Sequence, residues 1–164
     1  METVYIGLGS NLGDRAGNLR VARARLESAD VHVVRISSLY ETEPRDFIEQ
    51  PPFLNQVVEV ETSLTPRELL ARLLYVERAM GRERTVPKGP RLIDMDILLH
   101  GLTRIHEKGL EIPHPRMCER RFVLEPLAEI APELCIPSHG EPEEWPTARG
   151  LLKSVEDQPV RKLV

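Results

Sequence analysis

The chain has 164 residues, a formal net charge of -4, 41% hydrophobic residues and 29% charged residues. Those figures describe one globular domain over residues 1–164 with enough apolar material for a core; they exclude a disordered chain and argue against a general nucleic-acid binder, which carries a basic excess. No apolar run approaches the roughly 18 residues of a membrane span, no signal-peptide pattern opens the chain, and Cys118 and Cys135 match no zinc spacing, so a reducing, cytoplasmic home without a membrane partner is expected.

In residues 3–9, Val4, Ile6 and Leu8 alternate and predict a strand. Ser10 to Asp14 is a turn in which Asn11 or Asp14 can cap the next helix, predicted from about Arg15 to Ala29 with Leu19, Ala22 and Leu26 at helical spacing. The β-branched run from Val31 to Tyr40 predicts a second strand. Glu41 to Pro52, with three prolines and little apolar periodicity, is a long loop of the kind that often carries function. Alternation resumes from Phe53 to Glu61. Thr65 to Glu68 is a capping box with Pro66 at the first helical position, and its helix runs to Met80 and stops at Gly81. Arg82 to Pro90 is a second irregular stretch. Arg91 to His100 predicts a strand in which Ile93, Met95, Ile97 and Leu99 share a face, followed by a hairpin over about Gly101 to Ile112. A short helix from Phe122 to Ile130 and a last helix from a Thr147 cap to about Val155 complete the reading.

The order βαββαβ is the ferredoxin-like pattern, an α+β fold with an antiparallel sheet. Helices are expected on one face, with loops and the C-terminal segment on the other, where a site can form. The fold by itself names no chemistry.

Chemistry is concentrated in Gly89 to Leu99. Side chains two apart on a strand share a face, so Asp94 and Asp96 stand side by side, their Cα atoms roughly 6.5–7 Å apart. Two close carboxylates repel, and a bound cation resolves the conflict. Mg²⁺ suits them, since it takes one or two carboxylates and completes its shell with phosphate and water. The bland alternative is a solvated outer strand face, although Asp is depleted in strands. Arg82, Arg84, Lys88 and Arg91 crowd the preceding stretch, as polyphosphate transfer requires; taken singly, each reads first as a solvated surface charge. His114, Arg116, Arg120, Arg121 and Phe122 form a third cluster that can clasp a phosphate and stack a ring, with a structural role open for His114. Phe53 and Phe122 are open to core packing as well as ring binding, and Asn55, at the start of its strand, can read a polar edge. There is no P-loop, no dinucleotide fingerprint and no nucleophile elbow.

Taken together, these stretches resemble the 6-hydroxymethyl-7,8-dihydropterin pyrophosphokinase family. The matching segments are Tyr5 to Gly13, Tyr40 to Pro44, Gln50 to Asn55, Gly81 to Arg84, Gly89 to Leu99, and Pro113 to Met117 with Arg120, Phe122 and Pro132. The resemblance implies a ferredoxin-like sheet and a reaction between ATP and a reduced hydroxymethylpterin. In it the substrate hydroxyl attacks the β-phosphorus, and AMP and the pterin diphosphate are formed in folate synthesis. It implies that Asp94 and Asp96 hold two Mg²⁺ ions and that Arg82 and Arg91 clamp the phosphates. The pterin edge would be bonded by Asn55 and the backbone near Thr42, its ring sandwiched by Phe53 and Phe122. Arg84, His114 and Arg120 would contact the nucleotide, with Glu77 nearby and the Ile97 backbone reading adenine. A monomer is expected. The chain departs from the family pattern at Pro87-Lys88, where relatives carry a basic residue and an aromatic, and at Arg45-Asp46, where a Gly is usual. Both irregular stretches are expected to order over bound substrates. Two rivals remain on the residues alone: another Mg²⁺-dependent phosphoryl or nucleotidyl transferase, and an RNA-binding sheet, which wants aromatics and basic charge where Asp94 and Asp96 stand.

Overall fold

The computed structural model describes residues 1–43, 51–81 and 91–163. In chain order its elements are β1 (Glu2–Ser10), α1 (Arg15–Leu26), β2 (Val31–Ile36), β3 (Tyr40–Thr42), β4 (Phe53–Thr62) and α2 (Pro66–Ala79). Then come β5 (Asp94–His100), a hairpin of β6 (Ile105–Glu107) and β7 (Leu110–Ile112), α3 (Arg121–Ile130), α4 (Ala148–Leu152) and β8 (Arg161–Lys162). One antiparallel sheet has the order β5-β1-β4-β3-β8, with β2 also paired to β4. The run β5-β1-β4-β2 is the ferredoxin-like arrangement.

β4 is long enough to serve two partners. Residues 58–62 pair with β2, and residues 53–55 pair with β3. The single strand predicted over Val31 to Tyr40 is therefore broken. Ser37 bridges the gap: its hydroxyl accepts the Val57 N–H at 3.0 Å, and its carbonyl accepts from the Gln56 side chain at 2.8 Å. Glu129 on α3 then takes the Ser38 N–H at 3.0 Å and the Tyr40 hydroxyl at 2.7 Å.

All three predicted caps form, the Thr147 hydroxyl accepting the Gly150 N–H at 3.0 Å. Asp14 accepts the Gly17 N–H at 3.1 Å, and Thr65 and Glu68 exchange bonds across the first turn of α2. α1 stops at Leu26, short of the predicted Ala29. Glu27 has left helical geometry, and its carboxylate accepts the Val33 N–H at 2.6 Å.

Two cores flank the sheet. On one face Val4, Ile6 and Leu8 pack with Leu19 and Leu26 of α1, Leu69 and Leu73 of α2, and Met95 and Ile97 of β5. The opposite face, expected under loops and the C-terminal segment, is covered largely by a helix. Val123, Leu124 and Leu127 of α3 cover Tyr5, Val57, Leu98 and Leu99 there, joined by Ala148 of α4. The apolar stripe of α3 demands this burial, each large side chain contributing about 1.5–3 kcal/mol. Leu99 also departs from the predicted face. A register shift in the β1–β5 pairing, between Tyr5/Leu99 and Ile6/Ile97, puts both Leu98 and Leu99 in the α3 core. Among the described residues no helix is long and apolar enough to cross a membrane.

Candidate active site

The site lies on the α3 face of the sheet, where α3 begins. Its floor follows from strand register. Asp94 on β5 stands opposite Gly9 on β1, Gly9 opposite Asn55 on β4, and Asn55 opposite Tyr40 on β3. Directly opposed residues share a face, so Asp94 and Asn55 flank a position that carries no side chain. Two residues away, Asp96 faces Gly7, and Gly7 faces Val57. Gly7 and Gly9 thus remove two side chains from the central strand and leave a trough between a carboxylate pair and an amide. A cleft of about 270 Å³ occupies that trough.

Asn55 is buried and donates through Nδ2 to the Thr42 hydroxyl at 2.9 Å. Its Oδ1 points toward Gly9, where an added Cβ would meet it at 3.3 Å. Phe53, opposite Thr42, and Phe122, in the first turn of α3, both line the cleft. The Arg120 guanidinium lies 5.4 Å from the centre of the Phe122 ring. Arg91, Arg116 and Arg120 give the remaining wall a cationic character. The Arg91 guanidinium lies 3.3 Å from the Asp94 carboxylate, a partly exposed pair that moderates the charge of the acidic edge.

Asp94 and Asp96 both reach the cleft while Met95 between them is buried, as the alternation predicts. Because β5 is an edge strand, outward N–H groups need other partners. Glu77, buried on α2, accepts the Met95 N–H at 2.8 Å. Its carboxylate thereby holds the backbone between the two aspartates, and Glu77 lines neither cleft described here.

A second cleft, about 350 Å³, opens between residues 95–97 and the tip of the β6–β7 hairpin, with Ile97 in its wall. Asp96 and His114 line both clefts and form the boundary between them. The His114 N–H donates to the Leu98 carbonyl at 3.0 Å, which fixes the residue to β5. Its Nδ1 accepts the Arg116 N–H at 3.1 Å, so the neutral ring carries its proton on Nε2. Burial lowers the His114 pKa below the ordinary value of 6.5, and the charges of Arg120 and Arg116 lower it further.

The structure therefore gathers Thr42, Phe53, Asn55, Arg91, Asp94, Asp96, His114, Arg120 and Phe122 around one cleft. Ile97 belongs to the adjoining one, and Glu77 stands behind the strand. Arg82, Arg84, Lys88 and the departures at Arg45-Asp46 and Pro87-Lys88 lie outside the described residues. The part that Gly7 and Gly9 play in the floor was missed in the sequence. The signal was present, since glycines two apart on a strand empty one face. Arg116 in the wall was noted only as part of a cluster.

Residues 5–132 match the sequence profile of the 7,8-dihydro-6-hydroxymethylpterin-pyrophosphokinase (HPPK) family. The chain belongs to this family. Its relatives include the 2-amino-4-hydroxy-6-hydroxymethyldihydropteridine pyrophosphokinase of Bacillus subtilis, 50% identical over 131 residues, which cover 79% of this chain and 78% of that protein. The folic acid synthesis protein of Pneumocystis carinii is 45% identical over 139 residues, 85% of this chain but 19% of that longer protein. The chain thus spans about a fifth of the fungal relative. Among solved structures, wild-type HPPK-DHPS from Plasmodium falciparum superposes with a TM-score of 0.72 and 17% identity, over 93% of this chain and 44% of that one. At that identity the superposition speaks for the fold alone. The HPPK profile ends before α4 and β8.

Proposed function

We propose that this protein transfers the pyrophosphoryl group of ATP to the hydroxymethyl group of 6-hydroxymethyl-7,8-dihydropterin, giving AMP and the pterin diphosphate for folate synthesis. The observation that carries the reading is the rung Asp94–Gly9–Asn55. A slot for a flat ring and a polar edge reader meet one aspartate of the acidic pair there, and the other, Asp96, borders the second cleft. Membership of the HPPK family agrees with it.

In this reading Asn55 and Thr42 bond the edge of the heterocycle, and Phe53 and Phe122 stack on its faces. The second cleft takes the nucleotide, with Ile97 along its base and Arg84 and Arg120 toward its phosphates. The Nε2–H of His114 donates to a phosphate oxygen at the boundary. Arg91, with Arg82, meets the charge of the transferred group. Glu77 keeps the backbone between the aspartates in place.

Asp94 and Asp96 would hold Mg²⁺. The donor set fits the ion: hard carboxylate oxygens, two from protein, the rest supplied by phosphate and water. Among the described residues no group of three or more His, Cys, Asp or Glu side chains could hold a metal ion; the site read here rests on two carboxylates. When bound, the metal neutralises charge between carboxylates and polyphosphate; two ions are the proposal. The enzyme is read as one catalytic unit over the whole chain, monomeric, cytoplasmic and without a nucleic-acid partner. The free thiols of Cys118 and Cys135 suit a reducing compartment. Product analysis after incubation with ATP, Mg²⁺ and the reduced hydroxymethylpterin tests the activity. AMP with the pterin diphosphate supports it, whereas ADP or free pyrophosphate would favour a different phosphoryl or nucleotidyl transferase.

A further inference from the structure

The turn between β1 and α1 joins two sides of the cleft that lie far apart in sequence. Asn11 is 1% exposed, an unusual setting for an amide. Its backbone N–H donates to the Arg91 carbonyl at 3.0 Å, and its Oδ1 accepts the Arg91 N–H at 2.6 Å. Its Nδ2 donates to the Pro51 carbonyl at 3.1 Å. Four residues on, the Arg15 guanidinium donates to the next carbonyl, that of Pro52, at 2.9 Å. Phe53 follows directly. One buried amide thus fixes the backbone of the arginine beside Asp94 and also the approach to an aromatic wall of the cleft.

The two ends of the amide do different work. The acceptor end addresses the Arg91 N–H and the donor end the Pro51 carbonyl, on two separate atoms of one amide. A buried polar group left without its partner is destabilising, so each end has a separable effect.

We infer that Asn11 is a positioning residue, which sets Arg91 and Phe53 relative to one another and so aligns the phosphate side of the site with the ring side. It acts through those residues and touches no reacting atom. The inference rests on the activity proposed above. Small displacements matter in such a site, because reacting groups must be held within fractions of an ångström.

Two substitutions separate the ends. N11D keeps an acceptor for the Arg91 N–H and, when ionised, replaces the donor to Pro51 with a repelling oxygen, while N11A loses both. Affinity for a non-hydrolysable ATP analogue with Mg²⁺, affinity for the pterin in the ternary complex, and the single-turnover rate at saturation are measured with thermal unfolding. N11D should bind pterin about 10-fold more weakly, with its single-turnover rate within about 3-fold of the parent, one lost bond being roughly 1.4 kcal/mol. N11A should show the same pterin loss plus a further drop of about 10- to 100-fold in rate. Analogue affinity should stay within about 3-fold in both. Equal rate losses in the two variants, a loss shared by both ligands, or a lowered melting temperature with parental kinetics would each overturn the proposal. If N11A fails to fold, the split between pterin affinity and rate in N11D decides; a fold lost in both would make Asn11 structural. An inactive parent would instead strike at the activity itself, a result visible before any variant is made.

Discussion

Gly9→Ala puts one methyl group into the floor of the cleft. The new Cβ would stand 3.3 Å from Asn55 Oδ1 and 3.8 Å from Phe53 Cδ1. The first contact is tight, so the amide must yield by a few tenths of an ångström or the ring must ride higher. Overpacking of this kind typically costs about 1–3 kcal/mol, which predicts roughly 5- to 150-fold weaker pterin binding. Strand geometry accepts alanine at this position, so thermal stability should change little. The second cleft, proposed above for the nucleotide, shares no wall with Gly9, so affinity for an ATP analogue should be preserved. Gly7→Ala is the control: its Cβ would meet Leu98 at 3.5 Å, an ordinary contact, and its effect should be smaller. Titration calorimetry on both variants, with each ligand separately, checks the account. Parental pterin affinity in Gly9→Ala, or an equal loss for both ligands, would refute the reasoning that the glycine trough holds the ring.

If Arg91 meets charge that grows during transfer, as proposed, Arg91→Ala should lower the single-turnover rate by about 10²–10³ while ATP affinity falls far less; a change confined to apparent ATP affinity, seen in rapid-quench kinetics, would make it a ground-state binder. Hydrogen bonds from Arg161 and then Arg15 hold the Glu41 carboxyl below its ordinary value of 4.5. Its stabilisation is therefore present above that value and is lost as pH falls through the lowered folded value. Glu41→Gln should unfold at a lower temperature than the parent at neutral pH, the gap closing below pH 4.5; a gap independent of pH in thermal melts would assign the effect to packing.

Much of this site was legible because strand periodicity is a local property. Asp94 and Asp96 needed only the two-residue repeat to be placed on one face, and Thr65 with Glu68 needed only four consecutive residues to declare a helix start. What escaped depends on contacts between distant segments. The break at Ser37 is fixed by its bonds to Gln56 and Val57, and nothing in the β-branched run from Val31 announces it. β8 is two residues long, held beside β3 by its pairing, by the Leu163 N–H on the Leu39 carbonyl at 2.8 Å and by Arg161 on Glu41. Asn11 reads as a helix cap in sequence, yet its side chain reaches a residue 80 positions away. Leu99 was assigned by strict alternation, which a register shift in an edge strand overrides.

The claim at the centre of the account is that the transfer is carried out at the Asp94–Asp96 edge of the trough. AMP formation by Asp94→Ala and Asp96→Ala, measured beside thermal unfolding of the metal-free proteins, tests it directly. The chemical step should fall by at least about 10²–10³ in each variant. The fold should survive: Asp96→Ala relieves repulsion between neighbouring carboxylates, and Asp94→Ala gives up a partly exposed pair with Arg91 worth about 0–1 kcal/mol. Near-parental AMP formation in either variant would remove the pair from the reaction, and a variant that unfolds would make the pair structural.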